Sequence, residues 1–261
     1  MKFSALSLQD KNTGLVKGVD MAPPGSANTY SIIVPAYNEE AVITQTILNL
    51  QYCLEKIKEE GEIIVVDNNS SDNTSEIARG LGVKVVFEHR NQIARARNAG
   101  AKQAKGDFLF FVDADTTPVP ENFLFAISQM KTGKVCAGGS TVRLDKEMGF
   151  FVRSLVSISN RTQESKSIAL GTFCYCTKYA FEGVGGFNEK HYSAEDVLFS
   201  RACRDWGVQC RQEFHINNEY PVMTSARKFE HPGRIALQLV ISLIPFSTRF
   251  KIFSGYWYKR H

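Results

Sequence analysis

Short apolar runs alternate with amphipathic segments through the first half of the chain. Each run has the length of a strand; those at 31–35 and 63–67 are predicted to be buried, and that at 108–112 to be buried on both faces of a sheet. The predicted strands are 31–35, 63–67, 83–87 and 108–112. Apolar or alanine-rich helical periodicity lies between them, and it predicts helices at 42–57, 77–81 and about 92–105. This order, with short connections, predicts an α/β fold with a mostly parallel central sheet and helices on both faces.

The pattern changes after residue 115. Pro118 and Pro120 open a predicted helix, and short strands are expected around Gly138 and Gly139. The remaining predicted elements are a helix at 147–160, a strand at 171–177, a glycine turn at 183–187 and a helix at 195–206. Because strands and helices no longer alternate strictly, this part is predicted to form a second lobe that packs on the first.

The two ends of the chain differ from its middle. Residues 1–28 are weakly periodic and are predicted to form a poorly ordered extension or a surface-packed arm. Residues 235–246 are nearly all apolar, and aromatic and basic residues follow them. The tail, 231–261, is predicted either to pack on the body as a helix or to lie in a membrane interface. The domain itself is predicted to span 29–230.

Composition and charge narrow the classes of ligand. The net charge of +4 is slight and fits an anionic ligand or weak attraction to an acidic membrane. No basic run interleaved with aromatic residues is present, so nucleic acid is not expected as a partner. The six cysteines form no C-x-x-C, the N-terminus has no signal-peptide pattern, and no apolar run is long enough to span a bilayer. These features predict a cytoplasmic protein, with peripheral contact at the inner face of the cell membrane as the alternative.

Carboxylates follow two of the predicted buried strands. Asp113 and Asp115 come directly after one strand, with one small residue between them, and Asp67 ends another. In a parallel sheet these strand ends open on the same edge, where α/β folds bind ligands. Carboxylate oxygens there suit Mg²⁺ or Mn²⁺, and such an ion suits a diphosphate. The alternative is local: the pair starts the turn before Pro118, and Asp67 caps the turn that follows it.

Helix starts carry further candidate residues. Arg suits phosphate through its planar guanidinium, but Arg95 and Arg97 are two residues apart, so only one of them can point inward. The alternative for each is a solvated surface position. Asn38 is predicted to be the N-cap of the first long helix, with Glu39 and Glu40 in its first turn.

Several motifs then occur in a fixed order. They are I-V-P-A-Y-N-E at 33–39, V-V-D-N-N-S-S-D-N-T at 65–74, A-R-N-A-G at 96–100, F-V-D-A-D at 111–115, G-G-F-N-E at 185–189 and A-E-D at 194–196. The ordered set resembles family 2 glycosyltransferases of the GT-A fold, a Rossmann-like nucleotide-diphospho-sugar transferase fold. The resemblance covers roughly residues 30 to 230. One departure is Asn68-Asn69, where many members carry Asp-Gly or Asn-Gly, and Asn tolerates the left-handed turns that such a loop uses.

The resemblance implies how the donor, a nucleotide-sugar, is bound in the half of the domain up to about residue 117. The residues expected to hold its nucleoside are Pro35, Tyr37, Glu39 and Asp67. Arg97 would approach its phosphates. Asp115, with support from Asp113, would hold Mg²⁺ or Mn²⁺ on its diphosphate. His231 either completes the metal shell or touches the diphosphate, and the alternative is an exposed linker histidine.

The resemblance also implies roles in the second half of the domain, which would bind the acceptor. Asp196 would be the general base, and Glu195 would support it. The implied function is a metal-dependent inverting glycosyltransferase that moves a sugar to an acceptor hydroxyl in glycan, cell-envelope or glycolipid synthesis. The expected acceptor is a glycan, a lipid-linked molecule or a small molecule. Two alternatives are a nucleotidyltransferase that makes a nucleotide-sugar and a non-catalytic module that binds a nucleotide-sugar or a membrane.

Overall fold

The computed structural model describes residues 29–229, except for the side chains of Lys228 and Phe229. The predicted N-terminal extension, the C-terminal tail and His231 therefore lie outside the described residues. The described chain forms one eight-stranded sheet in the order β3-β2-β1-β4-β7-β6-β8-β5. Its strands are β1 Tyr30–Ala36, β2 Gly61–Asp67, β3 Lys84–Phe87, β4 Phe108–Val112, β5 Thr116–Thr117, β6 Val135–Leu144, β7 Phe173–Thr177 and β8 Glu213–Thr224.

The part of the chain that the structure describes contains seven α-helices between its strands. They are α1 Ile43–Lys56, α2 Thr74–Gly80, α3 Ile93–Gln103, α4 Pro120–Lys131, α5 Phe150–Lys166, α6 Lys178–Val184 and α7 Glu195–Cys210, and a 3₁₀ turn, Ala226–Phe229, follows β8. Within residues 29–229 no helix has both the length and the apolar character needed to cross a bilayer.

The first half of the sheet is parallel, as predicted. β1 lies between β2 and β4, β2 pairs with β3, and all three pairings are parallel. The pairing of β1 with β4 ends at Ile33 and Phe111, two residues before Pro35. Pro35 has no amide hydrogen to donate. It lies in the part of β1 that no longer pairs with β4, so the strand can continue through it.

Each face of the sheet carries its own hydrophobic core. Tyr30, Ile32 and Val34 of β1 point into the core that α1, α2 and α4 cover, whereas Ile33 points into the core of α3, α6 and α7. The period of two along a strand buried on both faces produces this division. The prediction of helices on both faces is confirmed.

The second half continues the same sheet. β7 pairs antiparallel with both β4 and β6, β8 lies parallel to β6, and the two-residue β5 closes the edge. The strands predicted around Gly138 are in fact one strand of ten residues. The twelve-residue β8 covers a stretch for which the sequence predicted no element. The predicted second lobe therefore shares its sheet with the first.

The cysteines are packed as a reduced protein requires. All six are free thiols, and five are buried. Cys174 and Cys176 lie on one face of β7, as predicted, within the core beneath α7. Burial raises the pKa of the Cys174 thiol to about 12, so this sulfur stays protonated at neutral pH.

Candidate active site

The acid pair lies directly after β4, and neighbouring elements hold its backbone. The Asp113 amide donates to the Thr172 carbonyl at 3.2 Å, and the Thr46 hydroxyl of α1 donates to the Ala114 carbonyl. Asp115 follows at the rim of the sheet. The sequence predicted these two carboxylates at the end of a buried strand, and β4 is fully buried along its length.

Arg227 connects this pair to the loop after β1. Its Nη2 lies 3.1 Å from Glu39 Oε2 and 3.4 Å from Asp115 Oδ2. Both carboxylate side chains are nearly buried, whereas the Arg227 side chain is 37% exposed. Burial disfavours the charge on Arg227, but attraction to Glu39 and Asp115 outweighs it and raises the pKa of the guanidinium. Acids from the loops after β1 and β4 therefore share one cation.

The four residues predicted to hold a nucleoside lie together. β1 and β2 run parallel and in register, so Ala36 and Asp67 end the two strands side by side. Pro35 is buried within β1, Tyr37 is half-buried just beyond the strand, and Glu39 is buried two residues further. The structure thus brings all four to one edge of the sheet, and their contact with a nucleoside stays a prediction.

The loops after β1 and β2 are hydrogen-bonded to each other. Asp67 Oδ1 accepts from the Ser70 amide at 2.8 Å, and the Asn38 amide donates to Ser70 Oγ at 3.1 Å. The prediction that Asn38 caps α1 is wrong. Asn38 has a left-handed φ of 52°, its Oδ1 accepts from the Ser71 amide, and α1 begins only at Ile43. A capping side chain has to face its own helix. The side chain of Asn38 instead reaches the loop after β2 and joins the two loops.

Arg97 is buried among a second set of acids. Its guanidinium donates to Glu195 Oε1 at 2.8 Å, to Asp113 Oδ1 at 3.1 Å and to the Gly171 carbonyl at 3.1 Å. Arg95 instead pairs with the loop after α6, which confirms that only one of the two arginines points inward. Contact between Arg97 and a diphosphate stays a prediction, and this buried position gives it no support.

Helix α7 begins with the two acids predicted to act in catalysis. Asp196 Oδ2 accepts from the Gly171 amide and Oδ1 from the Val197 amide, both at 2.8 Å. Glu195 is buried against Arg97. Burial raises the pKa of Glu195 to about 7, the charge of Asp196 adds to this rise, and Arg97 opposes it. The two neighbouring acids therefore have different surroundings, and only Asp196 remains half-exposed.

Helix α3 and its N-cap residue, Gln92, also hold the loop that leads to α7. Gln92 Nε2 donates to the carbonyls of Glu189 and His191 at 2.7 and 2.8 Å. The Asn98 side-chain amide pairs with both the amide and the carbonyl of Phe187 at 2.9 Å. Sequence reasoning gave none of these roles to Gln92 or Asn98. The A-R-N-A-G motif contains Asn98, but nothing in the sequence identified its partner some ninety residues away.

Replacement of Gln92 by Ala is expected to loosen this loop. Gln92 is buried, and two backbone carbonyls would lose its donors, at a cost of about 1–3 kcal/mol in local stability. Hydrogen exchange measured by mass spectrometry should therefore speed up in residues 187–193. Gln103→Ala, on an exposed position of the same helix, is the matched control. Equal exchange in both variants would contradict the assigned role.

The acid pair fits one mode of metal binding. Within residues 29–229, no three His, Cys, Asp or Glu side chains are grouped so that they could hold a metal ion. Asp113 and Asp115 supply hard carboxylate oxygens. Mg²⁺ commonly uses one or two carboxylates and completes its shell with water and substrate phosphate. The donor set present matches that mode, in which the diphosphate supplies the remaining ligands.

A protein-family comparison identifies the chain. The model of Glycosyl transferase family 2 matches residues 31–183, which is more than half of the sequence. The chain belongs to glycosyl transferase family 2. The region matched to family 2 includes the loops after β1 and β2, Arg97 and the acid pair, and it ends before α7. The resemblance stated from the motifs is therefore confirmed.

Two curated relatives illustrate the range of family 2 members to which the chain is similar. Glycosyltransferase AglE of Haloferax volcanii is 29% identical over 194 residues, which cover 68% of this chain and 62% of that protein. Undecaprenyl-phosphate 4-deoxy-4-formamido-L-arabinose transferase of Pseudomonas fluorescens is 28% identical over 151 residues, covering 55% and 44% respectively. The chain thus spans less than two thirds of the length of these relatives.

A solved structure supports the fold of this family 2 chain. The chain is similar to mannosyltransferase PcManGT from Pyrobaculum calidifontis, solved in complex with GDP-Man and Mn²⁺, with a TM-score of 0.64. The match covers 86% of this chain and 66% of that one at 22% identity. A sequence identity of 22% supports a shared fold and nothing further. The predicted GT-A fold is therefore confirmed.

Proposed function

We propose that this family 2 protein is a divalent-metal-dependent, inverting glycosyltransferase that moves a sugar from a nucleotide-sugar to an acceptor hydroxyl. One observation carries the proposal: hydrogen bonds and ion pairs link the acids of three separate elements to one edge of the sheet. Those acids are Glu39, Asp113, Asp115, Glu195 and Asp196. An arrangement in which acids from the loops after β1 and β4 meet those at the start of α7 suits a ligand that needs a cation and a base together.

The nucleoside of the donor would bind where β1 and β2 end. Asp67 would offer carboxylate oxygens to base or ribose donors, and Tyr37, which is half-buried just beyond β1, would contact the nucleoside as well. Pro35 and Glu39 would complete this part of the site. Asp67 also holds its own turn through Ser70, so the same carboxylate serves the local role that the sequence left open.

The diphosphate would bind at the acid pair. The two carboxylates repel a diphosphate, so a cation has to lie between the carboxylates and the diphosphate. Asp115, with support from Asp113, would hold Mg²⁺ or Mn²⁺ there, in the mode that the donor set fits. The bound ion would offset the negative charge that builds on the leaving oxygens. The similar mannosyltransferase was solved with Mn²⁺, which supports this choice of metal.

Asp196 would act as general base. As the acceptor oxygen bonds to the anomeric carbon, its proton passes to the Asp196 carboxylate, and the bond from that carbon to the diphosphate breaks. The nucleoside diphosphate leaves with the electron pair. A retaining reaction through an enzyme nucleophile would need a second available carboxylate. The adjacent Glu195 is buried and paired with Arg97, which supports direct displacement with inversion.

The acceptor and the cellular role are proposals of a broader kind. A glycan, a lipid-linked molecule or a small molecule would serve as acceptor, in glycan, cell-envelope or glycolipid synthesis. The Pseudomonas fluorescens relative is named for undecaprenyl-phosphate, which supports including lipid-linked acceptors. With such an acceptor, the tail at 231–261 would contact the inner face of the cell membrane, and the protein would otherwise remain in the cytoplasm.

A donor screen tests the proposed function. UDP-, GDP- and dTDP-linked sugars are added with Mn²⁺, and the melting temperature is recorded because a bound ligand stabilises the folded state. We expect one nucleotide class to raise it, and to release nucleoside diphosphate during turnover. Pyrophosphate release from a nucleoside triphosphate would favour the nucleotidyltransferase instead. Binding without turnover on any acceptor would favour the non-catalytic module.

Replacement of Arg227 by Gln is expected to tighten the binding of Mn²⁺ alone. Arg227 is the cation that Glu39 and Asp115 share, so an incoming ion has to displace it. A partly exposed ion pair contributes about 1 kcal/mol or less, which corresponds to at most roughly a fivefold gain in affinity. Calorimetric titration with Mn²⁺ measures it, and Arg79→Gln, from the exposed Arg79–Glu76 pair, is the control. Weaker Mn²⁺ binding in Arg227→Gln would contradict this competition.

A further inference from the structure

Arg97 is the largest of the fully buried side chains in the described residues. Its side chain is only 1% exposed, although it carries a positive charge. Burying a guanidinium is costly unless charged partners and hydrogen bonds surround it. Asp113 and Glu195 supply two carboxylates. The Phe187 ring lies under the guanidinium, and the guanidinium carbon Cζ is 5.2 Å from the ring centroid.

The partners of Arg97 belong to three different parts of the site. Asp113 is the first acid of the pair after β4, Glu195 begins α7, and Gly171 lies in the segment before β7. Gly171 joins two contacts: its carbonyl accepts from Arg97 and its amide donates to Asp196 at 2.8 Å. One residue therefore separates the buried guanidinium from the proposed base.

We propose that Arg97 is a positioning residue that fixes the distance between the metal-binding acids and the base Asp196, and that it does not bind the diphosphate. This inference rests on the proposed function. Catalysis of a displacement depends on holding the reacting groups in line, and a misplacement of about 1 Å can cost about 10²-fold in rate. A guanidinium that binds Asp113 directly and is linked to Asp196 through Gly171 holds them in this way.

The site needs an arginine at this position. Only a planar guanidinium presents several donors in a fixed fork, so it can bind Glu195 through Nη1 and Asp113 with Gly171 through Nη2. A lysine carries its charge as a compact ammonium group at the end of a shorter side chain. It would keep the positive charge but could not bind Glu195, Asp113 and Gly171 in the same geometry. Arg97→Lys therefore separates positioning from charge.

A second change reaches the same contact without altering a charge. A Cβ added at Gly171 would overlap Arg97 Nη2, so Gly171→Ala should push the guanidinium off its partners. The amide of residue 171 would remain able to donate to Asp196. Gly171→Ala thus provides an independent test if Arg97→Lys does not fold, which circular dichroism and thermal melting would reveal.

The test compares binding with turnover. Calorimetry with UDP and with GDP, each with Mn²⁺, gives Kd, and release of nucleoside diphosphate from UDP-glucose and GDP-mannose gives kcat and KM. We expect both Arg97→Lys and Gly171→Ala to lower kcat about 10²-fold while Kd changes less than about threefold. Arg95→Lys, on the same helix and paired elsewhere, should retain the wild-type kcat and Kd.

Two outcomes would overturn the inference. A Kd for UDP or GDP that weakens in step with kcat/KM would mean that Arg97 binds the diphosphate. A kcat that stays near wild type in a folded Arg97→Lys or Gly171→Ala would mean that this network positions nothing. A wild-type chain that binds none of UDP, GDP and dTDP with Mn²⁺ and turns over no donor of the screen would instead refute the proposed function, and this inference with it.

Discussion

Replacement of Asp196 by Asn is expected to lower kcat about 10²–10⁴-fold while the binding of nucleoside diphosphate with Mn²⁺ stays unchanged. Asn has the size of Asp and keeps one oxygen for the Gly171 amide, which Asp196 Oδ2 accepts at 2.8 Å. It has no carboxylate to take the proton of the acceptor. The change therefore removes an interaction that matters in the transition state and spares ground-state binding.

Initial rates of nucleoside diphosphate release, with binding measured by calorimetry, separate the two effects of Asp196→Asn. Asp205→Asn is the matched control, because Asp205 lies on the same helix with its side chain 69% exposed. We expect Asp205→Asn to behave as wild type. A kcat within about tenfold of wild type in Asp196→Asn would mean that another group accepts the proton.

Replacement of Asp115 by Asn is expected to weaken the Mn²⁺-dependent binding of nucleoside diphosphate by about 100-fold or more, and turnover should fall with it. Loss of a group that only supports a metal ligand already costs about 10–100-fold, so loss of a direct carboxylate ligand should cost at least as much. Asn is isosteric and keeps an oxygen, which limits the disturbance of the hydrogen bonds around the acid pair.

The metal dependence itself provides the control for Asp115→Asn. Titrations are repeated in the presence of EDTA, where both proteins should bind nucleoside diphosphate weakly, and the variant no more weakly than wild type because it has lost a carboxylate that repels the phosphates. Asp205→Asn should retain the full effect of Mn²⁺. Equal enhancement by Mn²⁺ in wild type and Asp115→Asn would show that the ion binds elsewhere, and it would remove the central part of the proposed site.

The parallel half of the fold was predictable because three of its four strands are largely buried, and only β3 is not. β4 is a continuous apolar run, and β1 and β2 each contain a shorter one, whose length between helical segments is typical of a strand. β8 was missed for the opposite reason. It is only partly buried, and its sequence E-F-H-I-N-N-E-Y-P-V-M-T has neither a steady alternation nor an apolar run.

The acids of the site were predictable, whereas their connections were not. Asp67, Asp113 and Asp115 were found because strand ends share an edge in a parallel sheet. Asp196 came from the motif alone. Gly171 carries no side chain and no motif, and its two hydrogen bonds to the acid network depend on how β7 pairs with β4. Contacts of this kind arise from tertiary packing, so local sequence cannot specify them.

The most direct test of the shared edge is a crystal structure with Mn²⁺ and the nucleoside diphosphate that binds, with the metal located by anomalous scattering. We expect one Mn²⁺ coordinated by Asp115 and by the diphosphate, the nucleoside beside Asp67, and the Asp196 carboxylate facing the same bound ligand. A metal and diphosphate bound away from Asp115, or an Asp196 carboxylate directed to an unrelated surface, would contradict this expectation.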